Sequence, residues 1–437
     1  MRSSFFVFLL SFFALCISSA NAKLFNAEEF FLQNGMRVIV VENHKAPIVK
    51  HMVWYKAGAM DDPYGKAGIA HLLEHVMFRG TKKVKDGEFN RIVAENGGQS
   101  NAFTAQDYTA YHQLVDVSRL ELMMALEADR MQNLRISKKV FDTERDVVFQ
   151  ERKQVVENNP ASDFFETFRH NLWQRHPYGR PIIGTAEEIM SLTLEDAKAF
   201  YSKYYAPNNA ILVLSGDIDV DTAKILAEKY YGELQMKNLD ERSNELILNN
   251  KFTASLEMAL PHINAPRVVM TYIAPSYAYQ PSDVYSLMIL SKYLGDGETS
   301  ALYKKLVLEK KIALSVSSDY HFAARSYGNF TISVLPKEFS NSDAFLKTLD
   351  AEIKQAVREI NSEKMEVTKK KILAGLVYLR DNPEDAAMIV GSMAAVGMSL
   401  DEIENYAENI EKVSVESVLK AAENLFSNSI SQKGVLK

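Results

Sequence analysis

An α+β fold of two homologous domains is what this sequence predicts, and three observations carry the prediction. Short apolar, strand-like runs alternate along the chain with long amphipathic helical stretches. At 437 residues the chain exceeds what one core comfortably serves, so two domains are expected. The chain also repeats itself once. Met52-Val53-Trp54-Tyr55-Lys56-Ala57-Gly58 corresponds to Val269-Met270-Thr271-Tyr272-Ile273-Ala274-Pro275, 217 positions on, and Leu192-Thr193-Leu194-Glu195 to Val413-Ser414-Val415-Glu416, 221 positions on.

Taken in order, residues 1–22 read as a secretory signal peptide. Arg2 precedes an apolar run over 5–17, and Ala20-Asn21-Ala22 closes it as an A-x-A cleavage site. The apolar run is too short for a stable bilayer span, which takes about 20 residues. Cleavage would leave Lys23 first and no stable membrane anchor, as expected of a protein secreted to a bacterial periplasm. The single cysteine, Cys16, departs with that segment, and a cysteine-free mature chain works in an oxidising compartment without mispairing. Residues 23–235 form the first domain, with strands expected at 37–41 and 210–214 and helices at 196–205 and 222–231. A polar stretch over 236–250, containing Lys237-Asn238-Leu239-Asp240-Glu241-Arg242-Ser243-Asn244, reads as a linker. The second domain covers 251–437. Thr193 and Ser414 stand at equivalent helix starts, and both are suitable N-caps.

Composition fits an ordinary soluble enzyme: 47% hydrophobic residues, 24% charged, and a net charge of −6. A weakly acidic chain without Lys/Arg clusters lacks the electrostatic footprint that nucleic-acid binding requires.

Chemistry concentrates in His71-Leu72-Leu73-Glu74-His75. On a helix, positions i and i+4 lie one above the other, so both imidazoles can reach one tetrahedral zinc ion at about 2.0–2.1 Å. Glu74 stands beside them, free to act on water. Ile69, Leu72, Leu73, Val76 and Met77 give the helix a broad apolar face, and Gly80-Thr81 offers a stop. A lone histidine in such a place is usually a core residue satisfied by hydrogen bonds. Two histidines and a glutamate on one turn are different, because burying that carboxylate without a cation is costly.

A catalytic zinc needs a third protein ligand and one open position. Glu144 and Glu151 lie seven residues apart in a helical stretch that meets no Pro or Gly before Pro160, so two turns bring both to nearly the same face. One could bind the metal while the other orients a histidine. Spacing alone does not choose between them, and several glutamates on a helix are otherwise just a solvated face.

With these residues in place the chain resembles the pitrilysin-type zinc metallopeptidases, which carry the inverted H-x-x-E-H (inverzincin) motif, in their mitochondrial-processing-peptidase-like bacterial subgroup. The resemblance spans nearly the whole mature chain. Asn34-Gly35, Asn101-Ala102-Phe103-Thr104 with Asp107, Thr109 and Tyr111, His176-Pro177-Tyr178-Gly179, Gly184-Thr185, and Pro207-Asn208-Asn209-Ala210 leading to Gly216-Asp217 follow the family's order. The family's third ligand stands about 76 residues after the second histidine. The resemblance therefore implies one zinc ion per chain held by His71, His75 and Glu151, with Glu74 as general base and Glu144 in support. It implies two largely antiparallel sheets backed by helices, facing each other across a cleft. It also implies a substrate-binding edge strand at Asn101, Ala102 and Phe103, to which a peptide or unfolded segment adds as an extended strand. The second domain has neither histidine nor glutamate around Leu290-Ser291-Lys292-Tyr293-Leu294, so only the first is expected to be catalytic.

One departure stands out. Active relatives place an arginine and a tyrosine seven residues apart in the second domain, and here those positions hold Val307 and Leu314. Aliphatic side chains cannot donate a hydrogen bond to a peptide carbonyl. The expectation is a zinc-dependent endopeptidase that works as a homodimer, or as a heterodimer with a paralogous subunit supplying the missing arginine and tyrosine. A non-catalytic assembly subunit or a peptide-binding protein of the same fold is the alternative; the intact zinc motif argues against the first and retention of Glu74 against the second. His44, His51, His112, His170, His176, His262 and His321 are isolated and read as structural or solvated.

Overall fold

Six strands build the first sheet: β1 (Glu28–Phe31), β2 (Arg37–Glu42), β3 (Ile48–Tyr55), β4 (Gln99–Thr104), β5 (Thr109–Asp116) and β6 (Ala210–Gly216). Five build the second: β7 (Thr253–Met258), β8 (Arg267–Ala274), β9 (Ala313–His321), β10 (Gly328–Pro336) and β11 (Ser431–Leu436). In this computed structural model residues 23–240, 252–260, 263, 265–337 and 339–437 are described. The expected signal segment and most of the expected linker lie outside them.

The spatial orders are β1-β2-β6-β3-β5-β4 and β7-β11-β8-β10-β9. Dropping β1 makes the two coincide strand for strand. Only β2 with β6, and β7 with β11, run parallel; every other pair is antiparallel. The two segments of the sequence repeat fall on β3 and β8, which occupy equivalent central positions.

The first half adds helices α1 (Ile69–Val76), α2 (Glu88–Glu95), α3 (Leu120–Asn133), α4 (Lys138–Arg152), α5 (Pro160–Trp173), α6 (Ala186–Ser191), α7 (Leu194–Tyr204) and α8 (Val220–Tyr231). The second adds α9 (Val284–Gly295), α10 (Ser342–Arg358), α11 (Ser362–Asp381), α12 (Pro383–Ala395), α13 (Leu400–Glu404), α14 (Tyr406–Glu411) and α15 (Val415–Asn428). Thr193 caps α7 by accepting from Asp196 N–H, and Ser414 caps α15 by accepting from Ser417 N–H. No helix among the described residues is long and apolar enough to cross a membrane.

Strands β2 and β3 read as nearly unbroken apolar runs because both faces of their sheet are covered. Val38, Val40, Val53 and Tyr55 point into the first half's own core, whereas Ile39, Val41, Met52 and Trp54 point the other way into a core shared with the second half. The cover on that second face is α12, packed on β3 and β6. Contact is close enough that a methyl group on Gly391 would come within 2.1 Å of Trp54 Nε1. In return, α5 of the first half lies on the second sheet, where Phe164 and Phe168 meet Val269 and Leu436. Each exchanged helix opens alike: Asn159 and Asn382 cap the starts, accepting from Ala161 and Glu384 N–H, with Pro160 and Pro383 in the first turn. The halves thus interlock by reciprocal exchange of a helix.

A buried polar network closes the same seam. Asp107 accepts the Tyr178 hydroxyl at 2.7 and 2.8 Å and the Arg325 backbone N–H at 3.0 Å, while the Arg325 guanidinium meets Asp61 at 2.8 Å. His176 Nδ1 accepts from Tyr178 N–H at 3.1 Å, and its Nε2 lies 3.0 Å from Ser326 Oγ. The segments around Asp107 and His176-Pro177-Tyr178-Gly179 serve the joint between halves.

Candidate metal centre

Helix α1 is fixed before its functional side chains are considered. Asp62 accepts from Gly68 N–H at 2.8 Å and Ala70 N–H at 3.1 Å, satisfying two of the donors at the helix start. Gly68 (φ +95°) and Gly184 (φ +86°) stand back to back: a Cβ on Gly68 would lie 2.5 Å from Ile183 O, and one on Gly184 2.3 Å from Ala67 O. Only glycine allows both the left-handed backbone and that approach. Arg152, at the end of α4, donates to Gly184 O at 2.6 Å and forks onto Glu166 at 3.0 and 2.8 Å. Helices α1, α4 and α5 are thereby tied to one loop. A single wide helical turn, Lys153–Glu157, follows directly on α4, an irregularity often found at functional sites.

From this frame His71 and His75 project toward α4. His75 Nε2 lies 3.4 Å and His71 Nε2 4.0 Å from Glu151 Oε2, and one donor atom from each of the three residues falls within 4.8 Å of the others. Donors 2.0–2.1 Å from a tetrahedral ion stand about 3.4 Å apart, so the spacing suits zinc. Glu144 is buried one layer out, 3.5 Å from His75 Nδ1 and receiving Arg79 Nε at 2.7 Å.

The electrostatics also favour a cation. Burial, and the charge of His75, hold His71 down to about 4. For His75 burial acts in the same direction, but Glu144, Glu151 and Glu74 outweigh it and push the imidazole up to about 9. Burial pushes Glu74 up, while hydrogen bonding from His75 pulls Glu151 down. Three carboxylates thus face one guanidinium and two imidazoles, one of them kept neutral. Neutral imidazole and carboxylate are the ligand forms zinc takes, and the donor set fits that ion.

Glu74 accepts the Thr104 hydroxyl at 2.6 Å. Thr104 ends β4, an outer strand of its sheet that among the described residues pairs with β5 alone. His71, Glu74, Phe103, Thr104, Glu151 and Ala102 contribute to the wall of one 540 Å³ cavity. Phe103 is held edge-on against Trp54, ring centroids 5.5 Å apart. Asn101 lies outside that wall, exposed, with its side chain accepting from Ala102 N–H at 2.9 Å. Val307 sits half-buried in the helical turn Tyr303–Glu309 and Leu314 is exposed on β9; neither lines this cavity. Where α1 stands in the first half, α9 stands in the second, buried from Ser286 to Ser291 and carrying no ligand.

Sequence reasoning overlooked Arg79, Asp62, Arg152 and the role of Thr104. Arg79 follows His75 by four residues, a spacing that could have placed it beside Glu144. Nothing in the sequence tied Arg152 to Gly184 or Asp62 to the start of α1.

The model of the insulinase family, peptidase family M16, matches residues 37–186, and that of the peptidase M16 inactive domain matches 191–372. Zinc protease PqqE of Helicobacter pylori is 29% identical over 424 residues, covering 94% of this chain and 92% of that protein. The crystal structure of a protease from Helicobacter pylori matches with a TM-score of 0.85 at 28% identity, covering 94% of this chain and 99% of that one. The periplasmic protease PqqL from Escherichia coli shares the fold at 18% identity, with a TM-score of 0.79 over 94% of this chain and 47% of the other. With both halves matched by the family's two domain models, the chain belongs to peptidase family M16, the insulinase and pitrilysin family.

Proposed function

We propose that the protein is a zinc-dependent endopeptidase acting on extended peptides or unfolded segments. The observation that carries this reading is the placement of Glu74, pinned by Thr104 beside three converging metal donors and at the end of an outer strand. His71, His75 and Glu151 would hold one zinc ion, which supplies Lewis acidity toward a carbonyl oxygen and acidifies water. Glu74 takes a proton from the attacking water and passes it to the leaving amine. Glu144, braced by Arg79, fixes the orientation of the His75 ring. The β4 edge offers backbone N–H and C=O groups to the substrate, so binding is largely indifferent to sequence and demands an extended chain. Residues Ala102 and Phe103 sit where such a strand would lie.

The apolar pair Val307 and Leu314 supports a second element of the proposal. This chain pairs with another copy or a paralogous subunit, and the paralogue supplies the absent arginine and tyrosine. Export to a bacterial periplasm belongs to the same reading and rests on residues 1–22.

Purified protein from Lys23 onward, loaded with zinc, is tested on a quenched-fluorescent peptide library with and without chelator. Chelator-sensitive hydrolysis that Glu74→Gln abolishes, with zinc stoichiometry near one in both proteins, is the expected result. Full turnover by the chain alone would remove the partner requirement. Stoichiometric zinc with no turnover under any pairing would favour the non-catalytic alternative.

A further inference from the structure

A second cavity, of 450 Å³, lies in the seam between the halves, lined by Tyr108, Trp173 and Phe168 from the first and by Thr271, Asn329 and Thr331 from the second. It adjoins the cavity over the metal donors, because Phe165, Arg169 and Ile182 line both. Both volumes lie in the range of ligand-binding cavities. A peptide crossing the metal donors therefore has a continuous route into the interdomain space, and Arg169 on α5 stands where the two spaces meet.

Arg169 is set apart by its place on the shared wall of both cavities. Among the described residues it forms no hydrogen bond or ion pair, although it projects from the wall of a cleft. The carboxylate that acts on its charge is Glu166, one turn back on α5, and that group is already held by the fork of Arg152. Protein atoms crowd the guanidinium from most sides while it stays open to water, as expected on a concave wall. Arginine keeps its charge at any physiological pH and presents a planar fork that matches a carboxylate. Its neighbours Phe165 and Ile182 lower the local dielectric, which strengthens any pair it makes.

We infer that Arg169 anchors a carboxylate of the bound peptide, a few residues from the scissile bond, and makes it a specificity-determining residue of the cleft. The carboxylate comes from an Asp or Glu side chain or from the peptide's own C-terminus. This inference rests on the peptidase reading, and the test keeps the two apart.

Zinc-loaded Glu74→Gln protein, which binds without cleaving, is titrated with labelled peptides that differ only in Glu against Gln at successive positions, and in a free against an amidated C-terminus. One position, or the terminus, should bind roughly 10-fold tighter as the acid, the effect of one charge-assisted pair in a cleft. Loss with the Gln series assigns a side chain; loss on amidation assigns the terminus. In Glu74→Gln/Arg169→Gln the ratio should fall to about one, and Arg169→Glu should reverse it toward a lysine-substituted peptide. Unaltered melting and zinc content show that the variants fold. An acid-to-amide ratio of one in the Arg169-containing protein, the same ratio with and without Arg169, or no binding of any peptide overturns the assignment. Hydrolysis of an uncharged, blocked peptide by the protein retaining Glu74 tests the peptidase reading separately.

Discussion

Thr104 donates its hydroxyl to Glu74 at 2.6 Å, joining an outer strand of the first sheet to the helix that carries both histidines. Binding surface and proton-transfer group are thereby held in one geometry. Thr104→Val keeps the shape and removes the donor. The expected effect is a fall in kcat on the order of tenfold, part of the 10²–10⁴ that a positioned base contributes, with zinc content unchanged. Thr104→Ser should restore most of it. Equal kcat in Thr104→Val and the parent would show that packing alone positions Glu74.

Glu144 and Glu151 look alike in sequence but differ in surroundings, which predicts different consequences of the same change. Glu151→Gln removes an anionic donor and should abolish stoichiometric zinc binding. Glu144→Gln leaves the three donors in place and should weaken zinc about 10–100-fold, the usual cost of losing an orienting partner. Arg79→Ala, which frees Glu144, should fall between the parent and Glu144→Gln. Competition with a chelator of known affinity measures all three, and equal affinities for Glu144→Gln and Glu151→Gln would reject the assignment of roles.

Much of this was legible in the sequence because the signals were local. The pentapeptide His71 to His75, the helical spacing of Glu144 and Glu151, the caps at Thr193 and Ser414, and the repeat that falls on β3 and β8 are all read within two turns or one alignment. The helix exchange was not legible. The apolar stripes of α5 and α12 show that each is covered, but not by which half, and Asn159-Pro160 against Asn382-Pro383 is too short a likeness to locate a swap. Likewise the ties from Arg152 to Gly184 and from Thr104 to Glu74 join segments distant in sequence, and no local pattern encodes them.

The exchange predicts how the chain fails when cut. Residues 23–235 expressed alone would expose Ile39, Val41, Met52, Trp54, Ile211 and Val213, a face normally covered by the second half. An uncovered apolar sheet face of that kind drives association. The fragment should aggregate or lack a cooperative melt, and co-expression with 251–437 should recover a soluble, zinc-binding complex. A well-folded monomeric first half would show that α12 is dispensable.

His176 predicts a pH dependence of the seam. Its Nδ1 accepts from Tyr178 N–H, so the proton sits on Nε2, and charging the ring would break that bond at 3.1 Å. Burial, reinforced by Arg325 and Arg180, holds it down to about 4, against 6.5 in the unfolded chain. Above pH 6.5 both states hold the ring neutral and its contribution does not vary. Between 6.5 and 4 the unfolded chain takes up a proton that the folded chain refuses, so stability falls as pH falls, by about 1.4 kcal/mol per unit and about 3–4 kcal/mol in all. Below 4 both states are charged and the loss is complete. His176→Asn offers an oxygen near the place of Nδ1 and does not titrate, so it should cost stability at pH 7.5 and progressively less as the pH drops toward 4.5. Denaturant unfolding of both proteins across that range reads the gap directly, and loss of zinc at low pH is common to both. A gap that stays constant with pH would mean that His176 is not the group holding the seam closed.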